Sequence, residues 1–183
     1  ISKITAENFV RMFKEVYNMD ITVLRWMNAS GPRQHLFPVR KFVPIIITQA
    51  LLNKDIEIYG TGNQTVDIID VRDIAKIAIK STRGGIGKDL SKVYDVGSGH
   101  AISCNDVADY VLKKTNSKSK VTYLPMRIGE ALDTKIAAKS HNELLKKINY
   151  KLEYSFEDTM DACIDYMKSL DISYLKKTYD FFK

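Results

Sequence analysis

Several features that would define a class of protein are scarce in this sequence. Its 183 residues include 2 cysteines, 4 prolines and 9 glycines. Cys104 and Cys163 lie in helical patterns and have neither a CxxC nor a Cys/His spacing, so we predict no disulfide framework and no metal site. A reducing, cytoplasmic location fits this cysteine usage best.

Long hydrophobic runs are also missing. The longest apolar run, residues 42–52, is interrupted by Pro44, Thr48 and Gln49, whereas a membrane span needs about twenty apolar residues. The amino terminus has neither the layout of a signal peptide nor an initiator Met. We therefore expect no transmembrane helix and no membrane partner, and we interpret the chain as part of a longer one.

The excess of positive charge does not by itself indicate that the protein binds nucleic acid. The net charge is +6 and the pI is near 9.2. Many lysines fall at predicted helix ends, where they complement the helix dipole: Lys113, Lys114, Lys118, Lys120, Lys146 and Lys147. No RNA-binding signature accompanies them. We expect no nucleic-acid partner, and a phosphorylated ligand is the next candidate.

Apolar periodicity and turn residues predict alternating helices and strands, which is typical of an α/β fold. The predicted helices cover residues 2–17, 42–52, 73–81, 137–148 and 156–170, with a further helix capped by Ser103 and Asp106 and a short one after residue 172. The predicted strands cover residues 21–26, 57–59, 65–71, 93–96 and 120–124. Asp73 is predicted as an N-cap, residues 84–87 as a linker, and the first helix as buried on more than one side.

Residues 23 to 34 are predicted as a buried strand that stops at Asn28 and opens into a loop containing Gly31, Pro32 and Arg33. Ligands of open α/β sheets bind at the carboxyl ends of strands. The alternative, which these residues alone leave open, is a core strand followed by an ordinary surface turn.

Five short segments occur together in an informative order. They are Ser2-Lys3 with Glu7; Leu24-Arg25-Trp26-Met27-Asn28 with Gly31-Pro32-Arg33-Gln34; Ile56-Glu57-Ile58-Tyr59-Gly60-Thr61-Gly62 with Gln64 and Asp67; Tyr94-Asp95-Val96-Gly97-Ser98-Gly99 with Ser103; and Arg127 with Gly129. Together they resemble the extended short-chain dehydrogenase/reductases that act on sugar nucleotides, the NAD-dependent epimerases and dehydratases. The resemblance implies the C-terminal part of a Rossmann-like, doubly wound parallel sheet in residues 1–34. Residues 35–183 would form a smaller α/β substrate-binding domain, and some of its strands would return to the large sheet.

The resemblance also implies which residues contact the cofactor. Lys3 matches the lysine of a Tyr-x-x-x-Lys motif whose tyrosine, like the glycine-rich dinucleotide loop, would precede Ile1. Lys3 would then hydrogen-bond the nicotinamide ribose and lower the pKa of that tyrosine, which makes it the predicted catalytic residue. Lys3, Trp26 and Met27 are the predicted cofactor-binding residues. On composition alone, Lys3 could equally be an exposed lysine at a frayed helix start.

The predicted substrate-binding residues are Asn28, Arg33, Ile58, Tyr59 and Arg127. Arg127 resembles a family arginine that grips the pyrophosphate, and Ile58 and Tyr59 would line the base slot, although an apolar strand could equally be core. Many relatives have an arginine where this chain has Val66. Arg33 or Arg40 is expected to compensate.

The sequence therefore predicts part of an NAD-dependent enzyme, with NADP as the alternative cofactor, that acts on a nucleoside-diphosphate sugar. Transient oxidation at C4 would lead to epimerisation or 4,6-dehydration. We expect a homodimer that pairs through the first helix, and no activity from this fragment alone. The competing interpretation is a non-catalytic sugar-nucleotide-binding or scaffold protein that lacks the cofactor half; a basic nucleic-acid-associated domain is a weaker, third one.

Overall fold

The computed structural model describes residues 1–83, 93–130 and 138–182. The helices are α1 (Ser2–Tyr17), α2 (Phe42–Leu51), α3 (Val71–Arg83), α4 (Cys104–Thr115), α5 (Ala138–Lys147), α6 (Phe156–Lys168) and α7 (Ile172–Phe181). The strands are β1 (Val23–Trp26), β2 (Asn28–Ser30), β3 (Ile56–Tyr59), β4 (Thr65–Val66), β5 (Ile68–Asp70), β6 (Val93–Val96), β7 (Ile102–Ser103) and β8 (Val121–Leu124). The predicted linker at residues 84–87 lies outside the described residues.

Three of the strand pairs are parallel, and this confirms the predicted α/β class. β1 pairs with β6, β2 with β5 and β3 with β8, whereas β4 and β7 are antiparallel. Parallel neighbours require long crossover connections, usually helical. The prediction of one strand over residues 65–71 is wrong. Asp67 separates β4 from β5, because its buried side chain holds the loop after β6 and the two halves pair with different strands.

Residues 23–30 change neighbours halfway. The Met27 N–H donates to the carbonyl of Val96 (2.8 Å), and the next N–H, of Asn28, donates to the carbonyl of Asp67 (2.9 Å). The chain thus leaves β6 and continues beside β5 as β2, where the sequence predicted a loop. That prediction is wrong because the small and polar residues of β2 have low strand propensity and gain their pairing only when β5 lies beside them.

The main hydrophobic core surrounds α2, whose residues 43–50 are all buried. A helix that is apolar around its circumference is expected in the interior. α4 and α6 pack against it through a set of almost fully buried side chains: Val107, Ala108, Val111, Met160 and Ile164. A second cluster lies beside β6 and α5 and contains Ile69, Ile77, Tyr94, Val96 and Leu144.

α1 is largely exposed, so the prediction that it is buried on more than one side is wrong for this chain. Ile4, Phe9 and Val16 are 66%, 57% and 65% exposed. Glu7 attaches the helix to β1 by accepting two hydrogen bonds of 2.7 Å from Arg25. The apolar side chains of α1 are present as the sequence indicates, but the described part of the chain supplies no surface that covers them.

α3 begins two residues earlier than predicted, and Asp73 is not its N-cap. Oδ1 of Asp70 accepts the hydrogen bond from the Arg72 N–H (2.7 Å) at the helix start. Asp73 is fully buried. It accepts hydrogen bonds from the Tyr150 hydroxyl (2.6 Å) and from the N–H groups of Glu153 (3.1 Å) and Tyr154 (3.3 Å). Its carboxylate therefore joins α3 to the segment between α5 and α6.

No helix in the described part of the chain combines the length and the hydropathy that crossing a membrane requires.

Candidate functional site

A cleft of about 260 Å³ opens beside the carboxyl ends of the parallel strands β3 and β8. This is the edge at which α/β sheets bind ligands. The residues that line it include four of the predicted substrate-binding residues, Asn28, Ile58, Tyr59 and Arg127, together with Arg40, Glu57, Val66 and Glu130. The structure thus brings together residues from four separate segments of the sequence.

Tyr59 forms the centre of one wall of this cleft. Because side chains alternate along a strand, Ile58 is directed into the core, where it is 2% exposed, and Tyr59 is half-buried beside the cleft. The guanidinium carbons of Arg127 and Arg40 lie 4.4 and 5.6 Å from the centre of its ring. Cations over an aromatic face are attracted by the ring quadrupole, so Tyr59 helps to place both arginines.

Each of these arginines is paired with a carboxylate. Nε and Nη2 of Arg127 donate to the two oxygens of Glu130, at 2.7 Å each. Nη2 of Arg40 donates to Glu57 at 3.0 Å. Hydrogen bonding to Glu130 raises the pKa of Arg127 above its ordinary value. Two positive and two negative side chains therefore face the cleft, and the charges of its described lining cancel.

The turn after β3 is fixed by a glycine and an asparagine. Gly62 has φ +78, and a Cβ at this position would overlap the Asn105 side chain. The Asn105 amide donates to the carbonyl of Thr61 (3.3 Å) and to the side chain of Asn63 (3.2 Å). The sequence predicted the turn, but it gave no signal for Asn105, which lies 42 residues further along.

A second polar centre lies next to the point where β1 ends and β2 begins. The fully buried carboxylate of Asp67 accepts hydrogen bonds from the N–H and Oγ of Ser98 (2.6 and 2.7 Å) and from the N–H of Gly99 (3.3 Å). A Cβ at Gly97 would collide with the same carboxylate. This network holds the loop after β6 against the end of β1, where Trp26 and Met27 lie.

The remaining predicted site residues lie apart from the cleft. Trp26 is 36% exposed and Met27 is half-buried at the end of β1; only the next residue, Asn28, lines the cleft. Lys3 is exposed in the first turn of α1. Arg33 is exposed, has a left-handed backbone (φ 66) and does not line the cleft, whereas Arg40 does.

His141 is a buried titratable residue that the sequence analysis missed. It lies on α5, is 3% exposed, and its Nδ1 has no hydrogen-bond partner among the described residues. Its ring is next to Gly99. Burial lowers the pKa of His141, and the neighbouring His100 adds to this effect while Asp67 opposes it. In the described segments, no group of three or more His, Cys, Asp or Glu side chains is arranged to hold a metal ion.

Acid should destabilise the fold through His141. The unfolded chain takes up a proton near the ordinary histidine pKa of 6.5, whereas the folded chain resists it to lower pH. The contribution of neutral His141 is therefore complete above that pH and is lost as the pH falls below it. Between pH 6.5 and 5.5 this loss is at most about 1.4 kcal/mol. Urea unfolding at pH 7.5 and 5.5 should show a smaller acid effect in His141→Gln than in the unaltered chain.

The exposed His35 supplies the matched control for this measurement. His35→Gln should keep the acid sensitivity of the unaltered chain. Equal acid sensitivity of His141→Gln and the unaltered chain would show that His141 does not titrate across this range.

The chain is similar to proteins from archaea and bacteria. It is 28% identical over 166 residues to the low-salt glycan biosynthesis protein Agl12 of Haloferax volcanii, covering 90% of this chain and 50% of that protein. It is 27% identical over 178 residues to dTDP-glucose 4,6-dehydratase 1 of Escherichia coli K12, covering 92% and 46%. The chain thus spans about half the length of the curated relatives it matches.

A solved structure extends the similarity to the fold. The UDP-N-acetylglucosamine 4-epimerase of Methanobrevibacter ruminantium M1, solved with UDP-N-acetylmuramic acid, superposes with a TM-score of 0.80 at 30% identity, covering 91% of this chain and 52% of that one. The model of the NAD dependent epimerase/dehydratase family matches residues 1–97, more than half of the 183 residues. The resemblance read from the sequence is thereby confirmed, and the chain belongs to the NAD-dependent epimerase/dehydratase family.

Proposed function

We propose that the protein containing this chain is an NAD-dependent enzyme that oxidises a nucleoside-diphosphate sugar transiently at C4 and completes an epimerisation or a 4,6-dehydration. Family membership supports this reaction class. The observation that carries the proposal is the cleft at the ends of β3 and β8, where Asn28, Tyr59 and Arg127 meet. The aromatic ring suits a nucleobase, the side-chain amide suits a sugar, and the arginine guanidinium suits a diphosphate.

In this proposal the cleft residues bind and orient the substrate. The Tyr59 ring stacks against the nucleobase, with Ile58 behind it. Arg127 donates to the diphosphate through its planar fork, which matches phosphate oxygens in pairs. Asn28, the first residue of β2, presents its side chain towards the sugar end of the ligand. Holding the sugar in one orientation lets a single carbon face the cofactor, and this is the main catalytic contribution of a binding domain.

The residues at the end of β1 suit a flat cofactor ring. Trp26 and Met27 form an apolar wall, and the Asp67-bound loop after β6 keeps that edge in place. NAD, with NADP as the alternative, would accept the hydride from C4 when bound. Lys3 would donate a hydrogen bond to the nicotinamide ribose and favour the deprotonated form of a tyrosine supplied by a preceding segment. We therefore keep the proposed domain boundary after residue 34, with the cofactor-binding part before it and the substrate-binding domain after it.

We also propose a homodimer and a cytoplasmic location. The exposed apolar side chains of α1, among them Ile4, Phe9 and Val16, support self-association through that helix. The two cysteines, both buried and free, support a reducing compartment.

The test uses the protein expressed from its complete reading frame. Incubation with NAD and a panel of UDP-, dTDP- and GDP-sugars should give epimerised or dehydrated products by NMR, whereas residues 1–183 alone should give no turnover. If the complete protein binds a nucleotide sugar without converting it, the non-catalytic binding protein is the better description. NAD-dependent turnover by the 183 residues alone would contradict the assignment of Lys3 to a partial cofactor site.

A further inference from the structure

Asp67 joins two regions of the molecule through one residue. Its neighbour Val66 lines the cleft, and its own carbonyl accepts the hydrogen bond of the Asn28 N–H at 2.9 Å. Its side chain holds the loop after β6, at Ser98 and Gly99. The backbone of Asp67 thus contacts a residue of the cleft, whereas its carboxylate contacts the loop.

The carboxylate gives this loop a single position. Asp67 is 0% exposed. Its Oδ1 accepts from the N–H and Oγ of Ser98 at 2.6 and 2.7 Å, and its Oδ2 accepts from the N–H of Gly99 at 3.3 Å. Hydrogen bonds to a carboxylate are about twice as strong as those between neutral groups. Because a Cβ at Gly97 would collide with the same carboxylate, the loop approaches Asp67 as closely as a backbone can.

The loop in turn fixes the end of β1. Gly97 and Ser98 follow directly on Val96, whose carbonyl accepts the hydrogen bond of the Met27 N–H at 2.8 Å. Val96 also pairs with Trp26 in the parallel register of β1 and β6. Trp26 and Met27, the cofactor wall, form the proposed surface for the nicotinamide ring. A displacement of the loop would therefore displace this wall.

Transient oxidation at C4 requires the sugar and the nicotinamide ring at one fixed separation. Reacting atoms must lie about 3–3.5 Å apart in the correct orientation, and a misplacement of about 1 Å can lower the rate by about 100-fold. In the proposed function the cleft holds the nucleotide sugar and the cofactor wall holds the ring. The distance between the two depends on the contacts that join the cleft to the wall, and Asp67 makes such contacts on both sides.

We propose that Asp67 is a positioning residue for hydride transfer, which couples the cleft to the cofactor wall and so sets the distance between the sugar and the nicotinamide ring. This inference rests on the proposed function and adds a residue to it. Asp67 does not itself line the cleft; it acts through Asn28 on one side and through the loop at Ser98 on the other. Each ligand therefore still binds when the carboxylate is altered, but the two are no longer held at one separation.

Asp67→Asn in the protein from its complete reading frame tests the proposal. Asparagine keeps the size of the side chain and the backbone carbonyl, but it places an NH2 donor opposite an N–H of the loop. We expect kcat on the member of the UDP-, dTDP- and GDP-sugar panel that the protein converts to fall by about 10- to 100-fold. The KM values for that sugar and for NAD should change by less than about threefold, because an interaction expressed only in the transition state lowers kcat and leaves binding intact.

Hydrogen–deuterium exchange provides a readout that needs no turnover. In the ligand-free protein, Asp67→Asn should speed the exchange of the Ser98 and Gly99 N–H groups, which lose a carboxylate acceptor. Exchange should also become faster at Met27 and Asn28, whose own acceptors are backbone carbonyls that the substitution keeps. Faster exchange at these two positions is the mark of coupling, because the substitution removes no hydrogen-bond partner from either of them.

Three further variants separate positioning from stability. Asp73→Asn alters another fully buried carboxylate that accepts three hydrogen bonds, but one that neither lines the cleft nor holds the loop after β6. It should lower the melting temperature and leave kcat within about twofold of the unaltered value. Asp109→Asn, at an exposed carboxylate on α4, should change neither. Ser98→Ala removes one hydroxyl donor and should lower kcat by a smaller factor than Asp67→Asn.

Failure of the proposed function is distinguishable from failure of the role of Asp67. If the complete protein converts no nucleotide sugar of the panel, the function fails, and the role in hydride transfer fails with it. If it converts one but Asp67→Asn and Ser98→Ala keep the unaltered kcat, or Asp73→Asn lowers kcat as much, the role of Asp67 is overturned while the function stands. A rise in KM at constant kcat, or faster exchange at Ser98 and Gly99 alone, also contradicts it. If Asp67→Asn does not fold, Ser98→Ala decides.

Discussion

Replacing Asp73 with alanine should lower the free energy of unfolding by about 3–5 kcal/mol, which is large for a single substitution. The Asp73 carboxylate is fully buried and accepts three hydrogen bonds, from the hydroxyl of Tyr150 and from the N–H groups of Glu153 and Tyr154. Alanine would leave these donors without an acceptor, at a cost of about 1–3 kcal/mol for each buried group. Urea unfolding at neutral pH measures the change.

Two further variants make this result specific. Tyr150→Phe removes one of the three donors and should cost less than Asp73→Ala, since the two backbone hydrogen bonds remain. Asp109→Ala, an exposed carboxylate on α4, should lie within about 0.5 kcal/mol of the unaltered chain. If Asp73→Ala were as mild as Asp109→Ala, Asp73 would not tie α3 to residues 150–154.

Replacing Lys3 with methionine in the complete protein should lower kcat by about 10²- to 10⁴-fold, the usual contribution of a group that supports proton transfer. Methionine preserves much of the length of the side chain but removes its charge and its hydrogen-bond donors. In the proposed site, those donors would bind the nicotinamide ribose and that charge would lower the pKa of a neighbouring tyrosine. Steady-state kinetics on the nucleotide sugar that the protein converts would measure the loss.

The pH profile distinguishes catalysis from structure at Lys3. Loss of the lysine charge should raise the pKa of that tyrosine and shift the acidic, rising arm of the kcat profile to higher pH, and a merely structural effect would not do this. Lys118→Met, at an exposed loop lysine after α4, should leave both kcat and the profile unchanged. A kcat for Lys3→Met within a factor of about two of the unaltered value would remove Lys3 from the mechanism.

Local interactions explain what could be predicted. The capping box at Ser103 and Asp106 is confirmed, with the Asp106 N–H donating to Oγ of Ser103 at 3.0 Å. The helix predicted over residues 42–52 is confirmed as α2, and the last helix, α7, is also confirmed. These features depend on residues within a few positions of one another. Their spacing is enough to predict them.

The predictions that were wrong concern groups whose partners lie far away in the sequence. Asp73 is of a residue type that often caps helices, yet its hydrogen-bond partners lie 77 to 81 positions further along the sequence. Asn28 and the two residues after it form a strand only because β5 returns beside them. The apolar face of α1 was visible in the sequence, but the helix pattern does not reveal whether this chain covers it.

The sequence by itself determined the α/β class and the family, because these depend on periodicity and on the order of short motifs. Only the tertiary structure decided which of Arg33 and Arg40 lines the same cleft as Arg127. Arg33 and Arg40 are equally polar and lie in the same segment, so no local pattern separates them. The return of β3 beside that segment places Arg40 over the Tyr59 ring and against Glu57, and leaves Arg33 in solvent. A long-range contact between side chains makes this choice, and such contacts exist only after the chain has folded.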